Sequence, residues 1–190
     1  MRLFILLSFL FAMSCGESNS TAPTDSQTQA KTVAEPSSGD VPEKKDACEF
    51  FTNEQMAALM DWPVEVVSNE QLMSLEDRGI TVCGYYDTER SESILLRLKW
   101  PSEKARENKI LERSFKRYLE QGEEELRYQP AKTSTGTEAI FGHGPSHHGF
   151  THYLLRCRYG NEIDVVIESM SKTNDPSAFE TRLQKILNAL

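Results

Sequence analysis

Thr151-His152-Tyr153-Leu154-Leu155-Arg156-Cys157-Arg158-Tyr159, then Gly160-Asn161, then Glu162-Ile163-Asp164-Val165-Val166-Ile167-Glu168-Ser169-Met170 is the stretch from which the fold can be read. Both runs alternate with a period of two, and Gly-Asn between them is hairpin punctuation. Alternation puts Tyr153, Leu155 and Cys157 on one face with Ile163, Val165 and Ile167, and the charged residues on the other. A three-residue loop of Tyr159-Gly160-Asn161 keeps those faces separate, whereas a two-residue loop would mix them. The three-residue reading sets Arg158 opposite Glu162, Arg156 opposite Asp164 and His152 opposite Glu168, so an antiparallel pair with one apolar face is expected.

Towards the C-terminus, Asp175 caps a helix with Pro176 at its first position, and Phe179, Leu183, Ile186, Leu187 and Leu190 form its buried stripe. Towards the N-terminus, residues 126–129 and 138–141 read as short strands. Pro101-Ser102 opens a long charged helix whose apolar stripe is Ile110, Leu111, Phe115, Tyr118 and Leu119, with Gly122 near its end. Residues 64–67, 80–87 and 93–100 have strand composition. Thr52-Asn53-Glu54-Gln55 is a capping box opening a helix that carries Met56, Leu59 and Met60. The order of helix, three strands, long helix, about four strands and helix predicts an α+β domain: a largely antiparallel sheet of about 6–7 strands packed with three helices.

Composition narrows the function classes. The chain has 190 residues, of which 38% are hydrophobic and 26% charged, so collagen-like, coiled-coil and wholly disordered readings fall away. A formal charge of −8, from 21 Lys+Arg against 29 Asp+Glu, offers no footprint for a phosphate backbone, and nucleic acid is not expected as a partner. P-loop, dinucleotide, G-x-S-x-G and HExxH patterns do not occur in the sequence.

The N-terminus is more specific. Arg2 precedes an apolar run from residue 3 to 13, too short for the roughly 20 residues that cross a bilayer core. Ala12-Met13-Ser14-Cys15-Gly16 follows, and this resembles a bacterial lipoprotein signal, in which the cysteine is diacylated and the leader cut before it. A plain secretory leader or an uncleaved anchor is the competing reading. The lipoprotein reading divides the chain into a signal peptide at 1–14, lipidated Cys15 with a disordered tether to residue 45, and a single domain at 46–190. The tether, rich in Ser, Thr, Pro and charge, cannot bury enough apolar surface to fold, and its reach is on the order of 30 Å. Localisation at the bacterial cell envelope follows as an expectation, with Gly16 favouring the outer membrane if the organism is Gram-negative.

Ala47-Cys48-Glu49-Phe50-Phe51-Thr52, Cys83-Gly84-Tyr85, Thr137-Glu138-Ala139-Ile140-Phe141 and Arg156-Cys157-Arg158-Tyr159-Gly160-Asn161 together carry a second resemblance. The domain is similar to small bacterial lipoproteins of unknown function with a C-x-L-L-T-x-x-E opening helix. Their fold is similar to the photosystem PsbP-like α/β sandwich. This chain has Phe50-Phe51 in place of the paired leucines and adds Cys157. The resemblance implies a fold and no catalytic residue. An exported compartment is oxidising, so two of Cys48, Cys83 and Cys157 are expected to pair, against the alternative of three buried thiols; the resemblance favours Cys48 with Cys83. Alternation places Cys157 on the core face as a buried thiol.

His143, His147, His148 and His152 fall within ten residues. They are the candidate ligands for weak Zn or Cu binding, but their spacing matches no established motif and Gly142, Gly144, Pro145 and Gly149 crowd them. A solvated connection between strands is the preferred reading, with no resident cofactor. The expected function is therefore a non-enzymatic envelope lipoprotein that meets the membrane through its lipid anchor and binds an envelope protein or small ligand. The alternative is metal handling or metal-assisted hydrolysis at the histidines.

Overall fold

In the computed structural model, which describes residues 41–89, 91–122, 126–136 and 138–190, the chain forms seven strands and four α-helices. The chain divides into Met1–Val33 and Ala34–Leu190, and every described residue belongs to the second unit. The expected signal peptide, Cys15 and most of the expected tether lie outside the described residues. In chain order the elements are α1 (Asn53–Met60), β1 (Val67–Leu75), β2 (Ile80–Asp87), β3 (Glu92–Lys99), α2 (Glu103–Glu107), α3 (Ile110–Gln121), β4 (Arg127–Ala131), β5 (Glu138–Pro145), β6 (Thr151–Tyr159), β7 (Ile163–Ser171) and α4 (Pro176–Asn188). They make one sheet of order β1-β2-β3-β7-β6-β5-β4, antiparallel throughout. The α+β reading therefore stands.

Local chemistry explains the elements that form as expected. Thr52 Oγ1 accepts from the Gln55 N–H at 3.3 Å while Gln55 Oε1 accepts from the Thr52 N–H at 2.8 Å, closing the capping box of α1. Asp175 accepts from the Ala178 N–H at 3.1 Å, with Pro176 at the first position of α4. The Tyr153 hydroxyl donates to the Thr173 carbonyl and accepts from the Asp175 N–H, fixing where α4 begins, and its ring stacks on Phe179 with centroids 4.1 Å apart.

The hairpin departs from its expected register by two residues. Tyr159 pairs with Ile163 and Arg158 with Asp164, so the loop is Gly160-Asn161-Glu162. Burial of Tyr159 is the reason: its ring is 2% exposed, its hydroxyl lies 3.3 Å from Thr135 Oγ1, and a loop position would forfeit both. Gly160, at φ +56, takes the left-handed turn position instead. A shift of two preserves the faces, so the sorting of side chains survives although the pairings change.

Three further expectations are corrected. Residues 64–66 form a 3-10 turn, and the first strand, β1, starts at Val67 and runs through largely exposed polar residues to Leu75. The long charged helix is two helices: Lys109 adopts a left-handed conformation (φ 51), and Asn108 Nδ2 bonds the Lys104 carbonyl at 2.7 Å. No residue of α2 is buried, so nothing ties that segment to the line of α3, and three expected helices become four. The strand expected at 138–141 continues to Pro145 and takes His143 with it.

Each sheet face has its own core. On the first, Met56 and Met60 of α1 and Phe179, Leu183 and Ile186 of α4 pack on Tyr85, Leu96, Tyr153, Leu155, Cys157 and Val165. The Cys48–Cys83 disulfide, with Cα atoms 5.1 Å apart, joins the segment before α1 to β2 on this face. Closing a loop of that length contributes about 4 kcal/mol on the chain-entropy model. On the second, Phe115 of α3 packs with Leu126, Tyr128, Ile140, Leu154 and Val166. Truncating Phe115, 1% exposed, would cost about 3–5 kcal/mol.

Candidate functional site

The second face carries two of the domain's buried charges, Arg156 and Asp164. Alternation along β6 and β7 sends His152, Arg156 and Arg158 to the same side as Asp164 and Glu168. Arg156, 3% exposed, has Nε 3.7 Å from Asp164 Oδ1, and its guanidinium lies 4.1 Å over the Tyr118 ring of α3. His152 Nε2 stands 3.4 Å from Glu168 Oε2, an ion-pair distance without hydrogen-bond alignment. Both expected pairs exist, but as diagonal neighbours, because the register moved by two. Arg158 and Glu162 exchange the partners expected for them: Arg158 Nε donates to Glu138 Oε2 of β5 at 2.7 Å, and Glu162 joins Arg106 of α2. Burial pushes the Glu168 carboxyl up, yet contact with His152 and the charges of Arg97 and Arg156 outweigh it and hold the group below its ordinary value.

Helix α3 covers this face over β4 to β7. Further across, on β1 to β3 and the end of β7, Glu70, Met73, Tyr86, Leu95, Arg97 and Met170 are half-buried or exposed. Tyr86 lies across Gly84, where a Cβ would come within 2.5 Å of its hydroxyl oxygen. The open half ends in a groove of about 690 Å³. Its apolar surface comes from Tyr86, Met170 and Phe150, and its walls from Thr88 and Ser91 of the β2–β3 turn and Ser146 and His148 of the β5–β6 turn. His148 is itself left-handed, at φ 61, a conformation that costs a non-glycine residue roughly 1–2 kcal/mol.

The fold divides the candidate metal ligands. His143 sits on β5 opposite Tyr153, so it belongs to the first face, where its ring neighbours Phe141 and Tyr153. His152, one residue from Tyr153 along β6, points to the second face, and the sheet lies between the two imidazoles. His148 lines the groove; the side chain of His147 lies outside the described residues. Among the described residues no group of three His, Cys, Asp or Glu gathers as a metal ion would need. The histidine run is thus part strand and part turn, which corrects the reading of one solvated connection. Cys157 is a free buried thiol packed beside Gly136 and pushed up to about 12, chiefly by burial and then by Asp164.

Sequence reading overlooked Tyr86, Met170 and Phe150. Each lies in a run assigned to strand or turn, and only the pairing of β2 with β3 and β3 with β7 brings them to one end. A half-covered sheet face leaves no local mark, because the covering helix is remote in sequence.

No family model matches the chain, and no curated protein matches it. Among solved structures, the chain is similar to the extracellular domain of PknH from Mycobacterium tuberculosis, with 8% identity, a TM-score of 0.46, and coverage of 78% of this chain and 96% of that one.

Proposed function

We propose that the protein is a lipid-anchored cell-envelope module that binds an envelope protein or small ligand without chemical turnover. Its recognition surface is the open half of the second face, with the groove at its end. The observation that carries this reading is the gathering of Tyr86, Phe150 and Met170 around a groove at the end of the half of the second face that α3 leaves uncovered. Aromatic side chains supply contact area at low entropic cost, methionine supplies an adaptable apolar surface, and hydroxyls on the walls supply orientation.

The path of the chain supports the same reading. Lys44, just upstream of the domain, lines a cavity with Trp100 and the β1–β2 turn, at the end of the sheet opposite the groove. The described chain thus enters the domain at the end of the sheet opposite the groove. Polar groups near the groove have partners: His152 stands beside Glu168, Glu92 accepts from Trp62 Nε1 and Ser171 Oγ, and Asp87 accepts from the Glu89 N–H.

A photoreactive phenylalanine analogue at Met170, in the full lipid-anchored chain within its own envelope, tests the proposal. A crosslinked adduct of one discrete mass, reduced by Tyr86→Ala, is the expected result. The same adduct pattern from a label at exposed Lys116, or hydrolytic turnover by the full chain that His148→Ala abolishes, would overturn it.

A further inference from the structure

The two edges of the sheet are unlike. The β4 edge is five residues long, carries Pro130 and has Tyr128 packed under α3, the devices by which edges are ordinarily blunted. The β1 edge is nine residues long, holds neither Lys nor Pro, and among the described residues pairs with β2 alone. Residues 68–74 are all exposed, with Leu72 and Met73 at 42% and 45%. Along such an edge alternate backbone N–H and C=O groups point away from the sheet, ready for another strand.

Charge selects the occupant. Glu65, Glu70, Glu76 and Asp77 line or flank the edge; the cations near its end are Arg78, 4.0 Å from Asp77, and Lys44 and Lys45, which share a cavity with Ser74 and Glu76, so the middle of the edge keeps the Glu70 carboxylate. A second copy paired about a two-fold axis near Gln71 would bring Glu65 of one protomer against Asp77 of the other, and like charges across strands destabilise. The bulge at Leu72, where the register shifts between Gln71 and Met73, also twists the edge away from flat sheet-to-sheet pairing, while a single flexible strand can follow it.

We propose that β1 accepts an extended, basic segment of a partner protein as an eighth strand, its cationic side chains on the face that carries Glu70 and its alternate apolar ones on the other. Backbone bonds supply the affinity and the carboxylates the selectivity. The edge adjoins the open half of the second face at Ser68, Glu70 and Met73, but hydrogen exchange of residues 67–75 reads the edge and the Met170 crosslink reads the groove, so the two proposals fail separately.

The test uses the full chain in detergent with a fluorescent peptide of about ten alternating lysine and valine residues, a length matched to one strand. Expected are salt-sensitive binding, slowed hydrogen exchange confined to amides of residues 67–75, and loss of binding when the central peptide residues are N-methylated. Glu70→Lys should weaken binding about fivefold, the scale of replacing an attractive cross-strand pair by a repulsive one. Equal binding by an alternating glutamate and valine peptide, protection only outside β1, or peptide-independent protection that grows with protein concentration would each refute it, the last by making a second copy the occupant.

Discussion

Glu168 concentrates the chemistry of the second face in one residue. Its carboxylate is half-buried, and the surrounding His152, Arg97 and Arg156 more than offset the desolvation that would otherwise protonate it. A carboxyl held below its ordinary value binds fewer protons folded than unfolded over the acid range. Its contribution to stability is therefore complete above the unfolded pKa and disappears as pH falls through the folded one. Denaturant titrations of wild type and Glu168→Gln below about pH 5.5 should show an advantage of wild type that shrinks on acidification; an advantage that grows would contradict the assigned direction. What the sequence could reveal here was parity. Alternation assigned the charges to one face, but it could not say that Tyr159 would be buried, and that single burial moved every cross-strand partner by two.

At the level of elements, legibility followed burial. Helices α1 and α4 announced themselves because their caps and apolar stripes are local, and the same holds for β3 and for the paired strands β6 and β7. Strand β1 did not, since residues 68–74 are exposed and the bulge at Leu72 breaks what alternation there is; its extended form depends on β2, a partner brought by the turn at Gly79. The break between α2 and α3 was hidden for a different reason. Its sequence, Glu103 to Gln121, is good helix material throughout, and the break is held by Lys109 in the left-handed region at φ 51. That conformation is strained for lysine and free for glycine, while glycine gives the unfolded chain more freedom. Lys109→Gly should accordingly raise stability by about 0.5–1 kcal/mol in chemical denaturation. A loss of stability would mean that the two helices straighten into one in solution.

For the whole molecule, the decisive question is whether a lipid holds it at the envelope, as proposed. No described helix is long and apolar enough to cross a bilayer. The lipid anchor proposed here rests on Cys15 behind Ala12-Met13-Ser14, and the physics of acyl anchors makes it testable. Each buried methylene contributes roughly 0.8 kcal/mol, so one chain holds only marginally while two or three hold firmly. Loss of the acceptor thiol should then remove the entire anchor. Cys15→Ser is expected to fail to incorporate radiolabelled palmitate and to leave the sedimenting membrane fraction, provided its leader is cleaved by the general secretory route; an uncleaved leader would show instead as a larger band that stays with the membrane. The domain offers an internal control for these readouts. The Cys48–Cys83 disulfide and the free thiol of Cys157 are far along the chain from the leader, so the pattern of alkylation before and after reduction should be the same in wild type and variant. A Cys15→Ser chain processed at the same site, folded by that thiol criterion and still bound as tightly as wild type would show that something other than lipid holds the protein to the membrane.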